Sequence, residues 1–388
     1  MTVGEATYAA GRTIFDADSH IMELSDWLAP YADPAIRERI RPLYLGGAGK
    51  LADEAVAQAE ARRGDDAAAR DLEGALLVKK GWHALGAFDA AERSRALDLL
   101  GFGSQLVFAT FAATQYAGAD PELLDGGLRA HNRAMVDFCS QDQRLVAVGQ
   151  TQWTTPERAQ LILEDALDTG CGAILVPSHP GPGPSPTHPE YDRFWTTLEE
   201  RDVPFMLHIG GGGRALKKAF HDNGRPTTDF LGGGENVRSK DYMVISQVPE
   251  QFLSAMVLDG VLDAHPRLRG GCIEQGAMWV LPWLRRLDIC QSTFYKTEPT
   301  LSSLAERASD YVHRQLWFTP FPTEPVGWMT EQCGDDLFLF SSDYPHPEGT
   351  KNPIERFEAN MRDLTDVQRA RFYHRNYADM MGWATPSV

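Results

Sequence analysis

The chain has 388 residues, 43% of them hydrophobic, and a formal charge of −17 from 54 acidic and 37 basic side chains. That length can bury a sizeable core, and the acidic surplus argues against nucleic acid or an anionic membrane as partner, since both need a basic footprint. Five scattered cysteines (Cys139, Cys171, Cys272, Cys290 and Cys333) contain no CxxC pair and predict no disulfide framework. With no long apolar run and no recognisable secretory signal, an acidic cytoplasmic protein is expected.

In chain order, the first apolar run, Thr13 to Asp18, leads into Asp16-Ala-Asp18-Ser-His20. On an extended strand, side chains at i, i+2 and i+4 share a face, so two carboxylates and an imidazole are expected to point together. Oxygen and imidazole donors on one face are what a divalent cation needs. Asp16 is the weaker ligand candidate, with a barrel-packing role as its alternative, and Glu23 reads as a helix-start or supporting carboxylate. Residues about 33–100 then separate the first two strands by far more than one crossover helix needs. Within them, Leu51 to Arg70 reads as a solvated surface helix.

The second run, Gln105 to Thr110, is followed by Phe111 and Tyr116; the third, Leu145 to Gln150, by Trp153. These aromatics are placed where a pocket wall would be and suggest a largely apolar substrate. His131-Asn132-Arg133, between them, reads as a surface or interhelix segment of a helix. Thr155-Pro156 supplies a cap and a first-turn proline, Ala159, Ile162, Leu163, Ala166 and Leu167 make one apolar stripe, and Gly170 stops the helix. The fourth strand, Ala173 to Pro177, has His179 just beyond it. A helix over about Tyr191 to Arg201 leads into the fifth strand, Pro204 to His208.

A second long insertion, about 210–243, carries two glycine runs and the cations Arg214, Lys217, Lys218, Arg225, Arg238 and Lys240. It reads as a basic substrate lid, with Arg214 as a substrate-binding candidate. The remaining strands are Leu268 to Glu274, which carries Cys272 as a candidate site-lining residue; Gln315 to Thr319, followed by Phe321; and Leu337 to Ser341, followed by Asp343 and His346. Eight runs apolar enough to be buried on both faces, alternating with helices, predict an α/β fold. Its form is a (β/α)8 TIM barrel spanning 1–388 as one domain, with insertions after strands 1 and 5. No glycine-rich dinucleotide turn follows the first strand, which argues against an open doubly wound sheet. In such a barrel Asp18, His20, His208, Glu274 and Asp343 meet at the rim formed by the C-terminal strand ends. A divalent metal there removes the cost of burying them.

Four segments, FDADSHIME (15–23), VPFMLHIGG (203–211), EQGAMWVLPWLRRLD (274–288) and SSDYPHPEG (341–349), carry a resemblance to a known family. The chain resembles the amidohydrolase superfamily, in its amidohydrolase-2 branch of aminocarboxymuconate semialdehyde decarboxylase-like enzymes. The resemblance implies a metal-bearing barrel, with Asp18 and His20 on the strand-1 ligand pair, His208 on the strand-5 ligand and Asp343 on the strand-8 aspartate. Two departures stand out. Strand 1 reads Asp-x-His where many members carry His-x-His or Glu-x-His, and Glu274 stands where many relatives have a histidine. The oxygen-rich set suits zinc, manganese or iron, one per chain, with a second ion held by Glu274 and His179 as the alternative.

The expected activity is metal-dependent hydrolysis of an ester, thioester or amide of an apolar carboxylic acid, with Asp343 as base and His346 as acid or oxyanion donor. The alternative is non-oxidative decarboxylation of an aromatic or unsaturated acid. A non-catalytic metal-binding scaffold is the third reading. The partner is a small molecule, and a homodimer is expected.

Overall fold

The computed structural model describes residues 7–118, 120–210, 216–226 and 238–384. Seven strands form one parallel sheet in sequence order: β1 (Phe15–Ile21), β2 (Ser104–Ala109), β3 (Leu145–Gln150), β4 (Ala173–Leu175), β5 (Phe205–His208), β6 (Gly270–Ile273) and β7 (Leu316–Phe318). The eighth place is taken by residues 337–344, which pair only through isolated bridges rather than as a regular strand. On the β7 side, Phe318 N donates to Leu337 O (2.8 Å) and Leu339 N to Phe318 O (2.9 Å). On the β1 side, Ala17 N donates to Phe340 O (3.0 Å), Asp343 N to Asp18 O (3.0 Å) and His20 N to Tyr344 O (2.7 Å). This segment closes a (β/α)8 barrel.

The burial pattern explains why these runs are so apolar. Ala17, Phe108, Val148, Ala173, Met206, Ile273, Trp317 and Leu339, one from each strand position, pack in a single cluster, which only a barrel lumen permits. Their strand neighbours Val107, Ala147, Ile174, Leu207, Phe318 and Phe340 pack in the larger cluster shared with the helices. Cys272 belongs to that outer cluster, so the expectation that it lines the site is corrected: it alternates with Ile273 and faces the helices. The floor of the lumen is closed by Tyr377, Met380 and Met381, from the helix Asn376–Met381. A Cβ at Gly271 would lie 2.7 Å from Met206 Sδ and 2.9 Å from Met380 Sδ, so β6 carries glycine where the plug enters.

The helix Pro156–Thr169 has the expected cap, apolar stripe and left-handed Gly170 stop. The surface helix expected over Leu51 to Arg70 is split. Gly64 turns the chain at φ 93°, and Asp65 accepts from Ala67 N and Ala68 N to start a second helix, so the two run over Gly49–Arg62 and Asp66–Gly74. Nor is the insertion only solvated: Ala52, Ala55, Leu72, Trp82, Leu97 and Leu100 are core residues. Between β5 and β6, the helices Ser239–Val244 and Gln247–Leu258 bring the chain back to the barrel.

Candidate metal centre

The C-terminal ends of β1, β5 and β6 bring Asp18, His20, His208 and Glu274 into one group whose ligand atoms lie within 4.8 Å of one another. Asp18 Oδ1 is 3.2 Å from His20 Nε2 and 3.3 Å from His208 Nε2; Glu274 Oε2 is 3.5 Å from His208 Nε2. Asp16 does not join them. The β1–β2 register shifts between Asp16 and Ser19, breaking the expected alternation. Asp16 instead accepts from Ser342 N (2.8 Å), Ser342 Oγ (2.6 Å) and Gln105 Nε2 (2.8 Å), tying β1 to the closing segment and to β2. Burial pushes its pKa up to about 7, against these hydrogen bonds.

The donor set fits a divalent cation. His208 Nδ1 lies 2.9 Å from Ile209 O, which fixes the proton on Nδ1 and turns the Nε2 lone pair toward Asp18. His20 is buried, and neither of its ring nitrogens has a partner at hydrogen-bonding geometry. Burial, reinforced by the charge of His346, pushes the His20 pKa down to about 3, so the imidazole is neutral and able to donate a lone pair. Burial also works to raise Asp18, but His20 and His208 beside it outweigh burial and hold the carboxyl below the usual range. A buried carboxylate facing two imidazole nitrogens, with no Lys or Arg salt bridge among the described residues, is what a bound cation would balance. Two carboxylates with two imidazoles suit manganese, zinc or iron.

Asp343 and His346 stand beside this group and share His20 with it. Asp343 Oδ1 is 3.6 Å from His20 Nε2 and 2.9 Å from His346 Nδ1, while His346 Nε2 lies 2.9 Å from Thr110 Oγ1. The His346 ring stacks on His20 at 3.8 Å. Burial pushes the Asp343 pKa up to about 6, against the charge and hydrogen bond of His346. Glu274 and Asp343 both hold positive φ, 54° and 52°, a backbone state costing about 1 kcal/mol or more outside glycine. Thr319 Oγ1 accepts from Glu274 N (2.8 Å), and Asp18 O accepts from Asp343 N, so neighbouring strands hold both turns in place.

A cavity of about 540 Å³ opens from Asp18, Glu274 and Asp343. Its apolar wall is Ile209, Tyr242, Ile245, Pro320, Phe321 and Pro322, and Arg356 lies on its rim. Several expected residues are elsewhere. His179 is exposed and belongs to neither ligand group. Trp153 is buried under the barrel rim: its Nε1 donates to Pro177 O (2.7 Å) and its ring packs against Tyr191, Phe194 and Trp195. Phe111 stacks on Trp82 of the first insertion, at 5.5 Å, and does not line the cavity. Arg214 lies outside the described residues. His131 is a packing histidine, with Nδ1 3.0 Å from Asn132 Oδ1.

Apart from the supporting role open to Glu23, sequence reasoning missed the braces behind the ligands. Arg93 is fully buried, donates to the carbonyls of Gly86 and His20, and lies over the rings of Phe138 (5.6 Å) and Tyr344 (5.2 Å). A Cβ at Gly86 would fall 2.3 Å from the Arg93 backbone, so the glycine permits the approach. Glu23 is neither a ligand nor a start-of-helix residue on its own segment. It accepts from Thr110 N, Phe111 N and Ala112 N (2.9 to 3.1 Å) and anchors the loop after β2. Glu324 does the same for Ala277, Met278 and Phe321 (2.7 to 3.2 Å). A lone Glu gives no sequence signal of which loop it will cradle.

Comparison with known proteins agrees with this architecture. The family model described as Amidohydrolase matches residues 15–382. A gamma-resorcylate decarboxylase of Rhizobium radiobacter is 24% identical over 264 residues, 65% of this chain and 76% of that protein. Among solved structures, an amidohydrolase from Mycobacterium avium subsp. paratuberculosis K-10 superposes with a TM-score of 0.71 at 19% identity, over 96% of this chain and 100% of that one. A manganese-bound 5-carboxyvanillate decarboxylase from Novosphingobium aromaticivorans gives a TM-score of 0.62 at 17% identity, over 96% of each chain. Among the described residues no helix is long and apolar enough to cross a membrane. With the family model spanning nearly the whole sequence, this chain belongs to the amidohydrolase family.

Proposed function

We propose that this protein is a metal-dependent decarboxylase that removes a carboxylate from an aromatic or unsaturated acid without oxidation. One observation carries the reading: Asp18 and Glu274 of the ligand group and the adjoining Asp343, paired with His346, open together onto a mostly apolar cavity. The hydrolase expectation leaned on a second ion between Glu274 and His179. With Glu274 beside His208 and His179 on the surface, that reason for preferring hydrolysis is gone. The names of the relatives point the same way.

Asp18, His20, His208 and Glu274 would hold the cation, and a divalent cation bound there supplies positive charge to orient an anionic substrate and stabilise charge developing on it. Phe321, Tyr242 and Ile245 enclose the substrate's apolar body and thin the water around it. When the carbon–carbon bond breaks, its electron pair stays on the ring carbon and carbon dioxide leaves. That carbon then takes a proton from the Asp343 carboxyl, whose raised pKa keeps a protonated fraction near neutral pH. The Asp343 carboxylate then regains a proton from solvent by way of His346, 2.9 Å away, for the next cycle.

The test is incubation of manganese-loaded protein with 2,6-dihydroxybenzoate and with 5-carboxyvanillate in deuterated water. Carbon dioxide with one deuterium at the vacated ring carbon is the expected outcome. Ester or thioester cleavage without carbon dioxide from any acid would return the hydrolase reading to first place.

A further inference from the structure

We infer that the cavity carries a subsite for a second carboxylate of the substrate, formed by Arg356; this rests on the decarboxylase reading of the same site. Among the described lining residues, four are acidic, Asp18, Glu274, Asp343 and Glu348, and Arg356 is the one Lys or Arg. A divalent cation at the ligand group would offset Asp18 and Glu274. Glu348 lies close enough to Asp343 to act on its charge, and Lys80, which feels both carboxylates, is held by Thr350 O (3.2 Å), so among the described residues Arg356 is the cation that itself lines the cavity and can meet an anionic group entering there.

The local structure leaves that guanidinium available. Arg356 lies on the helix Pro353–Asn360, where the residues three and four positions away are Asn352, Pro353, Ala359 and Asn360, none of them acidic. The two carboxylates of that helix nearest in sequence are engaged elsewhere. Glu355 accepts from Tyr8 Oη (2.8 Å), and Glu358 binds Arg369 and Tyr373. Among the described residues no carboxylate lies within salt-bridge distance of Arg356. Its Nε makes a 3.4 Å contact with Asn352 Oδ1, which steadies the group and leaves both terminal nitrogens without a partner among the described residues. Two parallel N–H donors on a planar fork match a carboxylate, a geometry that lysine lacks.

A benzene ring with two carboxyl groups fits within a cavity of about 540 Å³. One carboxylate is then the reacting group at the metal-binding end. The other is retained through turnover and pairs with Arg356. The rim is exposed, so the pair contributes a preference of about fivefold in affinity rather than the bulk of binding.

The experiment is calorimetric titration of the manganese-loaded protein with benzoate, isophthalate and terephthalate, repeated on Arg356→Ala and Arg356→Lys. One of the two diacids is expected to bind the wild type about fivefold tighter than benzoate. Arg356→Ala should erase that preference and leave benzoate affinity unchanged, and Arg356→Lys should retain only part of it. A wild type that does not distinguish diacid from monoacid, or a preference that survives in Arg356→Ala, overturns the subsite. Because the readout is binding, it is independent of turnover: preference without carbon dioxide release contradicts the reaction alone, and carbon dioxide release without preference contradicts the subsite alone.

Discussion

On the β1 side of the barrel mouth, the polar atoms behind the ligands are committed to one another. Asp16 ties Ser342 to Gln105, Glu23 holds the loop after β2, Arg93 grips the carbonyl of His20, and Tyr344 Oη donates to Leu85 O at 2.6 Å. On the β5–β7 side, the cavity wall is apolar side chains on loops and on the short helix Ser239–Val244, with Tyr242 and Phe321 in ring contact at 5.2 Å. The difference separates two tasks. Ligand position is over-determined by bonds that span the first insertion, β1, β2 and the closing segment. Substrate contact rests on side chains whose exchange leaves those bonds untouched.

Changes on the first side should therefore disturb turnover or folding, and changes on the second should disturb only substrate affinity. Asp343→Asn sharpens the contrast most. It keeps the shape and removes the proton, so turnover should fall about 10²- to 10⁴-fold while metal content, measured on the same sample, stays unchanged. Equal activity in the variant would remove Asp343 as the proton donor.

Arg93→Ala comes next. It leaves two carbonyls without donors and a gap between two rings, and should cost about 3 kcal/mol or more in a denaturant titration. A loss below about 1 kcal/mol would mean that the brace is dispensable.

Glu23→Gln sets an amide donor against backbone N–H groups and should cost about 1–3 kcal/mol. Its effect depends on pH in a defined direction. Burial raises the Glu23 pKa from 4.5 in the unfolded reference to about 7 in the native state. Below the lower value both states are protonated, and between the two the native state binds more protons than the unfolded one. Wild-type stability from this group is therefore full in acid and is lost as pH rises toward 7. The gap between wild type and Glu23→Gln should narrow over that interval in paired melting curves, and a gap that widens reverses the sign.

Phe321→Ala should have the smallest effect, raising KM by about tenfold or less with little change in melting temperature. A large drop in stability there would break the division of labour between the two sides.

Much of this arrangement was legible in the sequence, for a physical reason. Strands buried on both faces must be apolar throughout, so runs such as Leu145 to Gln150 and Phe205 to His208 mark themselves, and a charged residue at the end of such a run marks the barrel mouth. That logic anticipated that Asp18, His20, His208, Glu274 and Asp343 meet. It could not see the register shift after Asp16, because a bulge is set by the partner strand. Nor could it decide which way an aromatic turns beyond a strand end. Trp153 turns to meet Tyr191 and Trp195, far along the chain, while the cavity wall comes from Tyr242 and Phe321. Such contacts are set by tertiary packing, to which local pattern is blind.

The central claim is that Asp18, His20, His208 and Glu274 form a single cation site. The most direct measurement is manganese per chain after reconstitution and dialysis, read by elemental analysis for the wild type, Asp18→Ala and His179→Ala. One ion per chain is predicted for the wild type and for His179→Ala, with almost none retained by Asp18→Ala. Two ions per chain with one lost in His179→Ala, or full retention in Asp18→Ala, would contradict it.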